Sequence, residues 1–85
     1  MNISKAEQRV LHALAQGGVI RVERNSGGKV AHAMCVTRDG YILVDCTLKV
    51  FRRLRSRRLI SSQSGAPYQI ARRGRLSVRA QLDNR

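Results

Sequence analysis

Residues 45–70, DCTLKVFRRLRSRRLISSQSGAPYQI, predict a helix, a break and a hairpin in immediate succession. Either Asp45 or Thr47 can cap a helix that runs to about Arg57. Thr47, Val50, Phe51 and Leu54 share one stripe of it, with Leu48 at the edge, and so mark the face that packs. Lys49, Arg52, Arg53 and Ser56 take the opposite face, while Arg55, Arg57 and Arg58 flank or follow it. Leu59-Ile60 then opens a strand, Ser64-Gly65-Ala66-Pro67 supplies a turn, and Tyr68 to Ile70 returns.

Before this stretch, Ser4 to Gln16 reads as an amphipathic helix. Ser4 and Glu7 have capping-box spacing, Ala6, Val10, Leu11, Leu14 and Ala15 form the apolar side, and Gly17-Gly18 ends the helix. Strand periodicity follows over Val19–Arg24, Val30–Thr37 and Tyr41–Val44, with turn signals at Asn25-Ser26-Gly27-Gly28 and Asp39-Gly40. After the hairpin a last helix is expected from Arg73 to Leu82, weakened by Gly74, with Asp83-Asn84-Arg85 as a frayed end. The fold class is therefore α+β: a winged helix-turn-helix-like single domain over residues 1–85, with a three-stranded meander between the first and second helices. In such a fold Arg52, Arg53 and Ser56 would read bases from the second helix, and Ser64, Gly65 and Tyr68 would belong to the wing.

The chain has 85 residues, 17 Lys or Arg against five Asp or Glu, and a formal net charge of +12. That charge is unevenly placed. Residues 1–45 carry six basic and four acidic residues, whereas residues 46–82 carry ten basic residues and no acidic one. The ten are Lys49, Arg52, Arg53, Arg55, Arg57, Arg58, Arg72, Arg73, Arg75 and Arg79. A charge run often does no more than solvate a face, but ten like charges without a counter-charge repel one another and oppose compaction. Nine of the ten are Arg, whose planar fork suits phosphate and carboxylate. A surface that binds an anionic partner is the reading that accounts for both facts, with double-stranded DNA, single strands and an acidic protein surface all eligible.

Other chemistries fit poorly. Glu7, Glu23, Asp39, Asp45 and Asp83 are scattered, which argues against a two-metal or paired-carboxylate hydrolase, and no GxxxxGK[ST] or GxGxxG cradle occurs. The expectation is a protein that is not an enzyme, with no cofactor, no metal and no small-molecule substrate. Cys35 and Cys46 read as small buried residues in a reducing cytosol. With no apolar run of about 18 to 20 residues, and with Lys5, Glu7 and Arg9 near the start, the expected location is cytoplasmic, without a membrane partner. Tyr41, Phe51 and Tyr68 are the three aromatics: Tyr41 and Phe51 are expected in sheet or core, Tyr68 beside Pro67 fits either the core or a stacking position, and a single-strand binder built on stacked aromatics is disfavoured.

The strings D-C-T-L-x-V-F at 45–51 and R-A-Q-L-D-N-R at 79–85, together with SKAEQRVLHALAQGG at 4–18, resemble the small bacterial YjhX family, also called TopAI. The resemblance implies a toxin of a toxin-antitoxin pair that inhibits DNA topoisomerase I by direct binding, with a cognate antitoxin protein as a second partner. It carries no residue-level site. The Arg-rich half is the candidate surface, and a winged-helix DNA-binding transcriptional regulator is the alternative. Reversing Arg52 and Arg53 to Glu is expected to abolish activity without unfolding the chain.

Overall fold

The computed structural model describes residues 3–83, and the side chains of residues 3–79. In chain order the elements are α1 (Lys5–Ala15), β1 (Val19–Arg24), β2 (Val30–Val36), β3 (Ile42–Leu43), α2 (Leu48–Ser56), β4 (Ile60–Ser61), β5 (Gln69–Ile70) and α3 (Arg72–Asp83). The architecture is mixed α/β: three helices with a three-stranded antiparallel sheet ordered β1-β2-β3 and a two-stranded β4-β5 sheet.

The ends of α1 follow from local chemistry. The Glu7 N–H donates to Ser4 Oγ at 3.2 Å and the Ser4 N–H donates to Glu7 Oε1 at 3.4 Å, closing the capping box. At the other end the Gly17 N–H donates to the Leu14 carbonyl and the Gly18 N–H to the Ala13 carbonyl, a Schellman stop whose left-handed residue is Gly17 (φ 108). Val10, Leu11 and Leu14 are buried as their spacing requires.

The meander forms with β1 and β2 paired over their lengths, and the register shifts by one residue at Glu23/Arg24 before the turn. Asn25 holds that turn, its Oδ1 accepting from the N–H groups of Gly27 (2.9 Å) and Lys29 (3.1 Å). The third strand is shorter than its sequence suggests. Tyr41 exchanges backbone and side-chain hydrogen bonds with Thr37 to close the loop, which leaves its ring 73% exposed instead of in the sheet.

Two further corrections concern the hairpin and α3. Ile20 and Tyr68 exchange both backbone hydrogen bonds at 2.8 Å, so the hairpin is stitched to β1. That stitch turns the Tyr68 ring into the core, edge-on to Phe51 with centroids 5.0 Å apart at 85°, and removes Tyr68 from any outward wing surface. Gly74, expected only to weaken the last helix, is buried: a Cβ there would collide with the Leu59 carbonyl oxygen and stand 2.8 Å from Ile70 Cγ1. A glycine lets α3 lie on the hairpin. The helix starts at Arg72 and continues through Asp83, and the rest of the expected frayed end, residues 84 and 85, lies outside the described residues.

Phe51, Leu54 and Leu59 meet Leu11, Leu14 and Ile20 in the fully buried centre, and Cys35, Ile70 and Val78 extend it into β2, β5 and α3. No helix among the described residues is long and apolar enough to cross a membrane.

One charged residue sits in this interior. Glu7 is 0% exposed, and its carboxylate receives Arg57 Nη1 at 3.2 Å and Arg53 Nε at 3.5 Å, so α1 and α2 are joined through an ion triad. Removing the carboxylate would take from both guanidinium groups the counter-ion they share. Both can still reach water, which puts the loss near the low end for a broken buried pair. Glu7→Ala is expected to cost about 3 kcal/mol, a fall in Tm of more than about 10 °C for a domain of this size, measured by thermal unfolding. Glu7→Gln, which keeps the cap and its acceptor oxygen, should lose clearly less.

Candidate anion-binding surface

Helix α2 distributes its cations in two directions. Its N-terminus is fixed by Thr47, whose Oγ1 accepts from the Val50 N–H at 3.2 Å, and its inward stripe is Val50, Phe51 and Leu54. With that stripe buried, Arg53 and Arg57, four apart, fall on the flank facing α1 and engage Glu7. Arg52 and Arg55, three apart, fall on the other flank. Arg55 lies over the Phe51 ring, its guanidinium carbon 5.2 Å from the centroid, a cation–π contact that holds it in place. Arg52 is exposed and makes no ion pair among the described residues.

The placement of the expected site residues follows from this division. Lys49, Arg52, Arg55, Arg58, Arg72, Arg73, Arg75 and Arg79 are exposed. Arg53 is half-exposed and Arg57 less so, and both serve the fold, so Arg53 is not a clean probe of activity: a Glu there would face the buried Glu7 carboxylate. Ser56 turns its hydroxyl onto its own helix, donating to the Arg53 carbonyl at 3.1 Å. Ser64 and Gly65 form the exposed hairpin tip, with φ values of 54 and 77, and Tyr68 is in the core. Beside the tip, Ser61, Gln63, Ser64, Gln69 and Arg72 line a hollow of about 610 Å³.

Several arginines occupy positions that cost stability. Arg58 is the residue after the C-cap of α2 and adopts φ 60, the left-handed conformation that glycine takes in such stops. The stop itself is complete, with the Arg58 N–H donating to the Arg55 carbonyl and the Leu59 N–H to the Leu54 carbonyl, each at 3.0 Å. Arg72, Arg73 and Arg75 crowd the first turn of α3, which has no acidic residue, and positive charge there opposes the helix dipole.

Two features were not anticipated. Arg24 and Lys29, which bracket the Asn25 turn, come together with Arg52 and Arg55 around a cleft of about 400 Å³. The signal was present as two cations flanking a tight turn, but nothing local says which helix that turn approaches. Around β3, Tyr41, Ile42 and Val44 are exposed apolar residues.

The thiols are chemically quiet. Burial pushes the Cys46 thiol up to about 12 from an ordinary value of 9.0, reinforced by the neighbouring Cys35, and burial raises Cys35 as well.

Comparison with known proteins follows the same boundaries. The YjhX toxin family, described as "putative toxin of bacterial toxin-antitoxin pair", matches residues 1–85. A UPF0386 protein of Parvibaculum lavamentivorans is 65% identical over the full length of both chains, and one of Beijerinckia indica is 59% identical over the same extent. A UPF0386 protein of Caulobacter vibrioides is 59% identical across all of this chain and 93% of its own. No solved structure matches the chain.

Two outcomes are expected. Arg58→Gly should raise stability by about 1 kcal/mol in a denaturant titration, because the left-handed strain disappears, while weakening anion binding. A raised thiol pKa means that the stabilising protonated form is intact below about pH 9 and lost as pH rises toward 12. A thiol reagent at pH 8 should therefore modify Cys35 and Cys46 only at the rate of global unfolding.

Proposed function

The chain belongs to the YjhX toxin family, and from that premise we propose that it is a toxin that inhibits DNA topoisomerase I by direct binding. The binding surface is the exposed arginine set of α2, the hairpin and α3, and a cognate antitoxin protein masks it. The protein acts by occupancy in the cytoplasm, with no chemistry of its own. One observation carries the assignment of the surface: Arg58, Arg72, Arg73 and Arg75 are exposed and sit where the backbone or helix dipole disfavours them.

In this reading the architecture is a winged helix-turn-helix variant. Basic α2 presents its outer flank, β4-β5 serves as a short wing, and the three-stranded sheet stands where such folds place their second helix. A second reading, a DNA-binding transcriptional regulator, draws support from the direct passage of α2 into that hairpin. The two separate on salt and enzyme dependence. A regulator holds a preferred DNA sequence at raised salt, whereas a topoisomerase inhibitor blocks relaxation at concentrations that leave DNA alone unbound.

Relaxation of supercoiled plasmid by topoisomerase I is the test. The wild-type protein should inhibit it below the concentration at which it shifts DNA in a gel. Arg52→Glu should weaken inhibition at least tenfold with an unchanged Tm, since Arg52 is exposed and makes no ion pair among the described residues. Full inhibition by Arg52→Glu would remove Arg52 from the binding surface, and no inhibition by the wild type would end the topoisomerase-inhibitor reading.

A further inference from the structure

The cleft between the β1–β2 turn and α2 has cations on both sides and no carboxylate in its lining. Arg24 and Lys29 come from the turn, Arg52 and Arg55 from the helix, and Gly28 and Val30 complete the wall. Four like charges brought together by tertiary contact, from segments far apart in sequence, raise the free energy of the folded state unless an anion joins them.

Two of the four are already positioned. Arg24 Nη1 donates to the Gly28 carbonyl at 3.0 Å, and Arg55 is held over the Phe51 ring. Arg52 and Lys29 are exposed and without ion pairs among the described residues, so their donors are available. Gly28, with φ 83 and nothing within 4 Å of the place a Cβ would take, leaves the turn side of the cleft open to a close approach. The cleft lacks the exposed aromatic or apolar anchor that dominates most protein–protein contacts, and the exposed apolar residues Tyr41, Ile42 and Val44 lie in and beside β3 instead.

From this geometry we infer that the cleft is a phosphodiester site, in which Arg24 and Lys29 from the turn and Arg52 and Arg55 from α2 grip the backbone of a nucleic-acid strand. The ligand class is set by charge density: a nucleic-acid backbone offers closely spaced anions to a site that provides only cations. With no aromatic surface among the lining residues, the grip is on the backbone and not on stacked bases. This site shares Arg52 and Arg55 with the proposed topoisomerase surface, but its hold on a strand requires no enzyme and is tested without one.

The test is binding of a fluorescent oligonucleotide by anisotropy, in the absence of topoisomerase, as a function of salt. Arg24→Gln with Lys29→Gln should weaken binding at least tenfold at about 0.1 M salt and lower the salt slope by about 0.9 for each phosphate that is no longer neutralised. Lys5→Gln with Arg21→Gln, which removes the same charge elsewhere, should weaken it less than threefold. If the turn variant loses stability, Arg52→Gln with Arg55→Gln reports the same site from the helix side and should reproduce the tenfold loss. Scrambling the oligonucleotide sequence should leave affinity unchanged. A loss from both cleft pairs no greater than that of the control pair would overturn the proposal. So would displacement of the oligonucleotide by polyglutamate at equal charge concentration, which would make the cleft a carboxylate site for an acidic protein.

Discussion

A single carboxylate sets the orientation of α2. Glu7 caps its own helix and, buried completely, draws Arg53 and Arg57 toward α1. A buried charge without partners would cost several kcal/mol, so the rotation of α2 that satisfies Glu7 is strongly preferred. Once that rotation is fixed, Phe51 meets Tyr68 and Leu54 enters the centre, while Arg52 and Arg55 are left on the flank that faces the β1–β2 turn. The same helix thereby supplies structural arginines on one side and available ones on the other. The exposed ion pair of Arg9 with Asp45, at 2.9 Å, adds a lesser tie between α1 and the segment before α2.

The elements were largely legible because their signals are local. The capping box at Ser4 and Glu7, the double glycine after α1, the Asn25 turn and the Val50-Phe51-Leu54 stripe each act within a few residues, and the structure contains all of them. The remaining features depend on contacts that helix and strand periodicity do not show. Glu7 pairs with an arginine 50 residues away, which no helical periodicity reveals. Gly74 reads as a weakness by helix propensity alone, whereas the close approach of the Leu59 carbonyl leaves no room for a side chain there. Tyr68 turns inward because its backbone bonds to Ile20, and Tyr41 turns outward because Thr37 closes its loop.

The candidate surface shows the same limit. Composition located ten cations in residues 46–82, but sequence alone could not sort them. The fold assigns Arg53 and Arg57 to Glu7, sets Arg55 on Phe51, and strains Arg58 into a left-handed conformation. It also recruits Arg24 and Lys29 from the segment whose charges nearly cancel. A positive surface built from both parts of the chain is more specific in shape than a total of +12 suggests.

The most direct measurement compares two charge-matched variants in the same buffer, Arg52→Gln with Arg55→Gln and Arg53→Gln with Arg57→Gln, for both Tm and oligonucleotide affinity. The first pair should keep a Tm within a few degrees of wild type and lose at least tenfold in affinity. The second should lower Tm by more than about 10 °C, because it strands the buried Glu7. Equal melting temperatures for the two pairs, or a larger binding loss in a still-folded Arg53/Arg57 variant, would contradict the division of α2 into a structural and a binding flank.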